Sequence, residues 1–552
     1  MSKEINRFSI YLGIQDATKL NILSDSFQKR IDDGDASKLT AKEPDAGDFD
    51  AYYHVSQEKT PRWLSMLSTL FEVPAFSRKS PASLLVFEEA SRIFAVAFGY
   101  GSKLLNERYL ERDFGIKVAI NAVAEDSLRS VQKANVAAAI QQYGQSAFKS
   151  RFGTFGGQSK FEILRKVSGA TSDDSDVNAI TGGESVSLTT SHSISDVRLL
   201  AKKALQYYLS DAYKKTDFAV VDDFKAITDA TKIDNLNSLL ISNLIGTNST
   251  FELCLPQLNP DQNGYVKMLG IGAGAEHPDI SLKLYKTMLG DELKGLTLDD
   301  LKDDAIALFS DEHDGIGRWP VYKCLIGGLE DEKGVRHVLN EARWYQPSAA
   351  VTAVVEGYFE GRKADADPKL PPFEFTALTK SYGKKGKTKT VAAYEDEETY
   401  NARVAATAKY VLFDQKWHKA GDGTFSHLEV CDLFDPDELR MLHIKRTSRQ
   451  PTMISYLFEQ GQRAADMWQR DDVREQFIAK VRDDAGDAAA DKLANAKPKD
   501  IVIEFVIADH KNAKDDHTIS FLGKLAFESK SRDIELRGFT TKVRFITLPL
   551  PT

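Results

Sequence analysis

Apolar and polar residues alternate through Phe8-Ser-Ile-Tyr-Leu-Gly13, which predicts a strand near the start of the chain. Ser83-Leu-Leu-Val-Phe87 and Arg92-Ile-Phe-Ala-Val-Ala-Phe98 predict two strands of a hairpin joined by Glu88-Glu-Ala-Ser91. Residues 102–110 have helical spacing, and Phe114-Gly-Ile-Lys-Val-Ala-Ile-Asn121 reads as a returning strand. Phe161-Glu-Ile-Leu-Arg-Lys-Val167 and residues 195–209, 236–245 and 298–309 carry helical spacing, the last behind the candidate cap Thr297. Residues 169–183, rich in Ser, Asp, Thr and Gly, predict an exposed loop.

A proline-bearing linker at 361–372 is followed by a helix that starts with Glu395-Asp-Glu-Glu398, acids that suit the positive end of a helix. Strands are expected around Asp432 and His443, then helices over 452–468, with Gly461 a candidate stop, and over 472–480. Residues 501–507 are apolar at nearly every position, which predicts a central strand. A helix at 521–528 and a closing strand at 541–548 complete the pattern.

These elements imply a multi-domain α/β chain of mixed α+β character. The expected units are a mixed α/β domain at 1–157, a largely helical domain at 158–372, and an α/β domain at 373–552 whose mixed sheet is flanked by helices. A length of 552 residues accommodates roughly two to four cores. Hydrophobic residues make up 42% and charged residues 28%, the balance of an ordinary soluble protein. No apolar run approaches the roughly 20 residues that cross a bilayer, and residues 1–7 lack the apolar core of a secretory signal. A cytoplasmic protein with no membrane partner is expected. Cys254, Cys324 and Cys431 stand far apart, which argues against a disulfide framework and a cysteine-only zinc site. The net charge of −9 excludes a uniformly basic surface but leaves room for a local basic stripe that holds nucleic acid.

The candidate chemistry lies in Glu429-Val-Cys-Asp432, a polar turn, and Leu439-Arg-Met-Leu-His443-Ile-Lys445. Asp432 offers hard oxygen ligands to Mg2+ or Mn2+, with Glu429 and His443 as further candidate ligands. Imidazole suits manganese better than magnesium, and His443 could equally shuttle a proton. Lys445 would orient or deprotonate water and offset charge on phosphorus. Alternation puts His443 and Lys445 on one strand face. Asp435 reads as a turn residue or as an acid that supports the metal ligands from behind. Lys380, Lys384, Lys385, Lys387 and Lys389 form a glycine-punctuated basic segment suited to a phosphate backbone, with Tyr382 as a lone stacking platform. Arg446 and Gln460 are further candidate contacts to nucleic acid.

Two other motifs carry less. His-x-Lys also occurs where histidine attacks phosphorus directly, but the phospholipase-D-like pattern wants an aspartate where this chain has Gln450, and no second copy is present. Leu269-Gly-Ile-Gly-Ala-Gly274 lacks the strand-turn-helix frame of a dinucleotide site and reads as a glycine-rich turn.

An aspartate on one strand, and a lysine two residues past a polar residue on the next, resembles the restriction-endonuclease-like nuclease core. His443 stands at the glutamate position of that core. Ala97-Phe-Gly-Tyr-Gly101, Phe114–Asn121, Ile180-Thr-Gly-Gly183, Glu429–Leu433, His443-Ile-Lys-Arg446 and Ile454-Ser-Tyr-Leu-Phe-Glu-Gln-Gly461 together resemble, in order, the bacterial family labelled "sporadically distributed". That resemblance covers nearly the whole chain and implies genomic islands devoted to defence against phage or foreign DNA. The family resemblance implies context and no reaction; the resemblance to the nuclease core implies metal-dependent cleavage of nucleic acid, DNA before RNA. The alternative is a non-catalytic nucleic-acid sensor or a scaffold among partner defence proteins, and a homo-oligomer is compatible with either.

Overall fold

A computed structural model describes residues 5–42, 48–55, 79–135, 140–155, 162–171, 177–246, 249–256, 265–271, 276–277, 280–309, 317–382, 387–413, 430–446, 451–509 and 517–548. Side chains at 140, 265, 375–382, 387–393 and 451–453 are outside this description. The chain is mixed α+β, as its patterning predicts.

The first unit is a ten-stranded antiparallel sheet. Its spatial order is Ser37–Lys38, Asp50–Val55, Pro81–Glu89, Arg92–Gly99, Asn6–Leu12, Val186–Thr190, Val177–Gly182, Glu162–Thr171, Val123–Asn135 and Ile140–Ser150. The expected hairpin forms, and Ala90 and Ser91 take φ of 49° and 59° in its two-residue turn. Such a turn matches the twist of the flanking strands. Helices Phe114–Ala122 and Val197–Tyr208 cover one face. The first lies close to the sheet: Ile116 donates its N–H to the Gly183 carbonyl at 3.0 Å, and a Cβ on Gly115 would collide with the Ser185 carbonyl.

Two expected elements exchange identity here. Residues 114–121 are helical rather than extended, because the segment is buried on nearly every side and an apolar run without alternation is ambiguous. Residues 162–171 are a strand rather than a helix, held by pairing to the strands 123–135 and 177–182. The expected boundary at 157 moves accordingly. Strand Val186–Thr190 pairs with Asn6–Leu12, and Phe218 still packs in the first core, so this unit runs to about residue 223.

The middle unit is not largely helical. It contains a five-stranded sheet ordered Phe224–Ala226, Arg343–Pro347, Arg336–Asn340, Leu325–Glu330 and Phe251–Leu253, and a four-stranded sheet ordered Glu276–His277, Tyr265–Leu269, Ala305–Phe309 and Gly317–Pro320. Helices Ala230–Ile245, Leu282–Leu289 and Leu298–Asp303 pack with them around Trp344 and Phe251. Thr297 caps its helix through a reciprocal bond with Asp300. That helix ends at Asp303, and residues 305–309 continue as a strand.

The last unit begins before the expected linker, since helix Ala349–Glu360 packs in its core through Val355 and Phe359. Its six-stranded sheet runs Lys363–Ala364, Thr540–Thr547, Val502–Asp509, Arg440–Arg446, Leu433–Asp435 and Val411–Leu412. The first four strands are mutually parallel, and the last two return antiparallel. Helices Pro451–Trp468 and Phe521–Leu536 cover one face, and helix Glu397–Ala408 covers the other through Tyr400 and Val404. The 502–509 strand is central, as its apolar run predicts. Helix 451–468 continues through Gly461, which has no stop function; its missing side chain admits the ring of Phe505.

Cys254, Cys324 and Cys431 are not joined in disulfides. Among the described residues no helix is long and apolar enough to cross a membrane.

Candidate functional site

Strand 440–446 extends beyond the end of its antiparallel neighbour 433–435, whose register stops at Leu433 opposite Leu442. Among the described residues the amides of Ile444 and Arg446 therefore have no strand partner on that side. Two carboxylates take their place. Asp432 accepts the Ile444 N–H at 2.5 Å, while its own N–H reaches the Leu442 carbonyl at 3.0 Å. Glu397, in the first turn of helix 397–408, accepts the Arg446 N–H at 3.1 Å. Amides two residues apart on a strand point to the same edge and lie about 6.6 Å from one another. The carboxylates of Asp432 and Glu397 thus flank one short stretch of edge.

Lys445 lies between these amides in sequence, and its Nζ meets Glu397 Oε2 at 2.7 Å. The pair is part-buried, with 21% of the lysine side chain and 34% of the glutamate exposed. Arg446 donates to the Glu395 carbonyl at 3.1 Å and stands 5.6 Å over the Tyr394 ring. Its contacts place a cation beside the same edge.

His443 is elsewhere in function. Its ring is 2% exposed, turned into the core beneath the helical layer, and 5.8 Å from Phe505. Its Nε2 has no hydrogen-bond partner among the described residues. Burial penalises the imidazolium and lowers its pKa to about 3, so the ring is neutral. A ring closed inside an apolar core has no access to an ion or to substrate, which corrects the expected ligand and proton-shuttle roles.

Glu429 falls outside the described residues, as do Lys384 and Lys385. The basic segment is a hairpin, Phe375–Tyr382 with Lys387–Tyr394, in which Lys380 is registered with Lys389 and Tyr382 with Lys387. The side chains of Lys380, Lys387 and Lys389 are outside the description. Gln460 is half-buried on helix 451–468, with no hydrogen bond to Asp432 or Lys445 among the described residues. Of the two roles open to it, Asp435 takes that of a turn residue: it accepts the N–H groups of Asp437 and Glu438 and pairs with Arg440 at 2.6 Å.

Sequence spacing misses Glu397. It stands 48 residues before Lys445, and its acid-rich neighbourhood reads as helix-dipole complementation. The available signal is weak: an acid in the first turn of the helix that precedes the three-strand meander.

A family model describing a family of unknown function matches residues 8–547. The chain belongs to DUF6119. No curated protein and no solved structure matches it. The DUF6119 match spans all three units, so the Asp432–Glu397–Lys445 edge belongs to the family domain itself. Among the described residues no group of three or more His, Cys, Asp or Glu side chains is placed to hold a metal ion.

Proposed function

We propose that this chain cleaves nucleic acid phosphodiesters with the help of a divalent cation, at the edge of strand 440–446 beyond its pairing with 433–435. The observation that carries this reading is the arrangement of Asp432 and Glu397 on that edge, with Lys445 bonded to Glu397 and Arg446 adjacent. The order of helix 397–408, three antiparallel strands, helix 451–468 and parallel strand 502–509 supports it, being the order expected of a restriction-endonuclease-like core.

Magnesium keeps most of its waters and needs only one or two protein carboxylates, so the absence of a three-ligand cluster among the described residues does not conflict with it. Asp432 and Glu397 would hold it, and Glu397 replaces His443 in the assignment. Bound there, the ion supplies Lewis acidity for phosphate and an acidified water. Lys445 sets a compact positive charge where charge accumulates on phosphorus, and Arg446 anchors the backbone. We assign DNA as the polymer and foreign DNA as the biological target, on the motif resemblance alone.

A second reading follows from one feature of the same geometry. Glu397 already neutralises Lys445, and Asp432 is spent on a main-chain amide. An edge so saturated would grip nucleic acid without cutting it. Incubating the full chain with plasmid, single-stranded DNA and RNA, with Mg2+, Mn2+ or chelator, separates the two. Metal-dependent products support cleavage. Salt-sensitive binding without products under either metal would replace it with the gripping role.

A further inference from the structure

A cleft of about 640 Å³ opens between the ten-stranded sheet and the five-stranded sheet of the middle unit. Its size is that of a site for a nucleotide-sized ligand. It shares no lining residue with the Asp432–Lys445 edge. The two sheets are tied beside it by Arg112, which donates to the Glu341 carbonyl at 2.9 Å, and by Arg165, which donates to the Tyr345 hydroxyl at 3.1 Å.

Both signs of charge line the cleft, but they are not equivalent. Five of the six lining acids are held by cations: Glu184 by Arg112 at 2.9 Å, Asp113 by Lys117 at 3.1 Å, Glu341 by Arg165 at 3.5 Å, Glu162 by Lys133 at 2.7 Å, and Glu111 by Arg92 at 2.8 Å, while the sixth, Asp222, accepts the Tyr213 hydroxyl at 3.0 Å. Burial alone would raise the Glu184 carboxyl, yet Arg112 and Lys323 outweigh it and hold its pKa down at about 2. Three lining cations have no ion-pair partner among the described residues: Lys166, Lys225 and Arg343. The buried Nη2 of Arg165 also has no hydrogen-bond partner among them. A guanidinium donor buried without an acceptor is costly, and a ligand oxygen would relieve that cost. Thr181, Ser185 and Ser187 add hydroxyls to the lining.

We propose that this cleft binds a phosphate-bearing small molecule of nucleotide size, with its phosphates against Arg165, Lys166, Lys225 and Arg343. Cations without an ion pair among the described residues, beside an orphaned guanidinium donor, select a multiply charged anion. Planar nitrogen donors match phosphate oxygens in pairs. A cleft bounded by two sheets favours a compact ligand over a polymer.

The test is binding to the full chain, measured by calorimetry and thermal unfolding, with ATP, inorganic pyrophosphate, adenosine, sodium sulfate at matched ionic strength, and a single-stranded DNA oligonucleotide. Saturable binding of ATP and pyrophosphate, with a melting temperature raised by about 2 °C or more, is expected. Adenosine and sulfate should not reproduce it. Arg343→Gln and Arg165→Met should each weaken the affinity about tenfold or more, while Lys445→Ala leaves it unchanged. Arg343 has no ion pair among the described residues, so its variant decides the matter should Arg165→Met fail to fold. The proposal is overturned by the absence of saturable phosphate binding, by an equal response to sulfate, by full affinity in Arg343→Gln, or by binding of the oligonucleotide alone. Cleavage is not a readout, so failure of the nuclease reading leaves this result interpretable.

Discussion

Lys445 and Glu397 join the end of a central strand to the first turn of the helix across the sheet, 2.7 Å apart although 48 residues separate them in sequence. That ion pair organises the candidate edge and can be removed without opening a core. Replacing Lys445 by Ala should reduce metal-dependent cleavage by about 100-fold or more, if the lysine offsets charge at phosphorus. The same change should alter unfolding free energy by only about 1 kcal/mol or less, because the pair is part-exposed. Plasmid cleavage and urea unfolding measured on one preparation check both halves, and undiminished cleavage removes Lys445 from the mechanism.

Glu397→Gln keeps the shape of the side chain but removes its charge. It should lose cleavage while retaining the Arg446 N–H bond through the amide oxygen. Added Mn2+ should restore less activity in this variant than in a Lys445→Ala chain. Equal restoration in the two would take Glu397 out of metal binding.

His443 makes a pH-dependent contribution to stability that has nothing to do with catalysis. Its folded-state pKa is depressed to about 3 from the ordinary 6.5 by burial. Between those values the unfolded chain binds a proton that the folded chain does not, so stability falls as pH drops below about 6.5 and is level above it. The slope is about 1.4 kcal/mol per pH unit. His443→Leu should therefore lose on the order of 2 kcal/mol less than the unaltered chain between pH 7 and pH 5. Urea midpoints at the two pH values provide the comparison, and identical acid sensitivity would contradict the assignment.

At the other end of strand 440–446, Arg440 pairs with Asp435, Asp367 and Glu504, and Glu504 also receives Arg544. Glu504 is 0% exposed. Glu504→Ala would leave two guanidinium groups short of a buried partner, at about 3–5 kcal/mol. Loss of the last unit's cooperative transition, or a strongly lowered urea midpoint, is the expected outcome.

Gly461→Ala should destabilise by about 1–3 kcal/mol, since the new methyl meets the Phe505 ring and the Ile503 side chain. A helix-favouring substitution that lowers the urea midpoint is the signature of packing against the sheet rather than of backbone preference.

Elements with strong local pattern were legible in the sequence: the hairpin around Ala90, the capped helix after Thr297, and the central 502–509 strand. Each carries its own signal, in alternation, capping chemistry or unbroken apolar character. Residues 114–121 and 162–167 reversed their expected identities because short buried segments take their form from neighbours. The candidate site divided the same way. Asp432 and Lys445 stand out by spacing on adjoining segments. Glu397 joins them only through the tertiary fold, and the orientation of His443 into the core was set by which face the 451–468 helix covers.

The pairing of Asn6–Leu12 with Val186–Thr190 has a temporal meaning. The first strand leaves the ribosome with one of its two sheet neighbours still some 180 residues from synthesis. Closure of so non-local a sheet is intrinsically slow, because distant segments must meet before any pairing rewards them. The nascent chain thus presents an unfinished sheet edge for most of the first unit's translation, and chaperone demand should be greatest before Val186–Thr190 emerges.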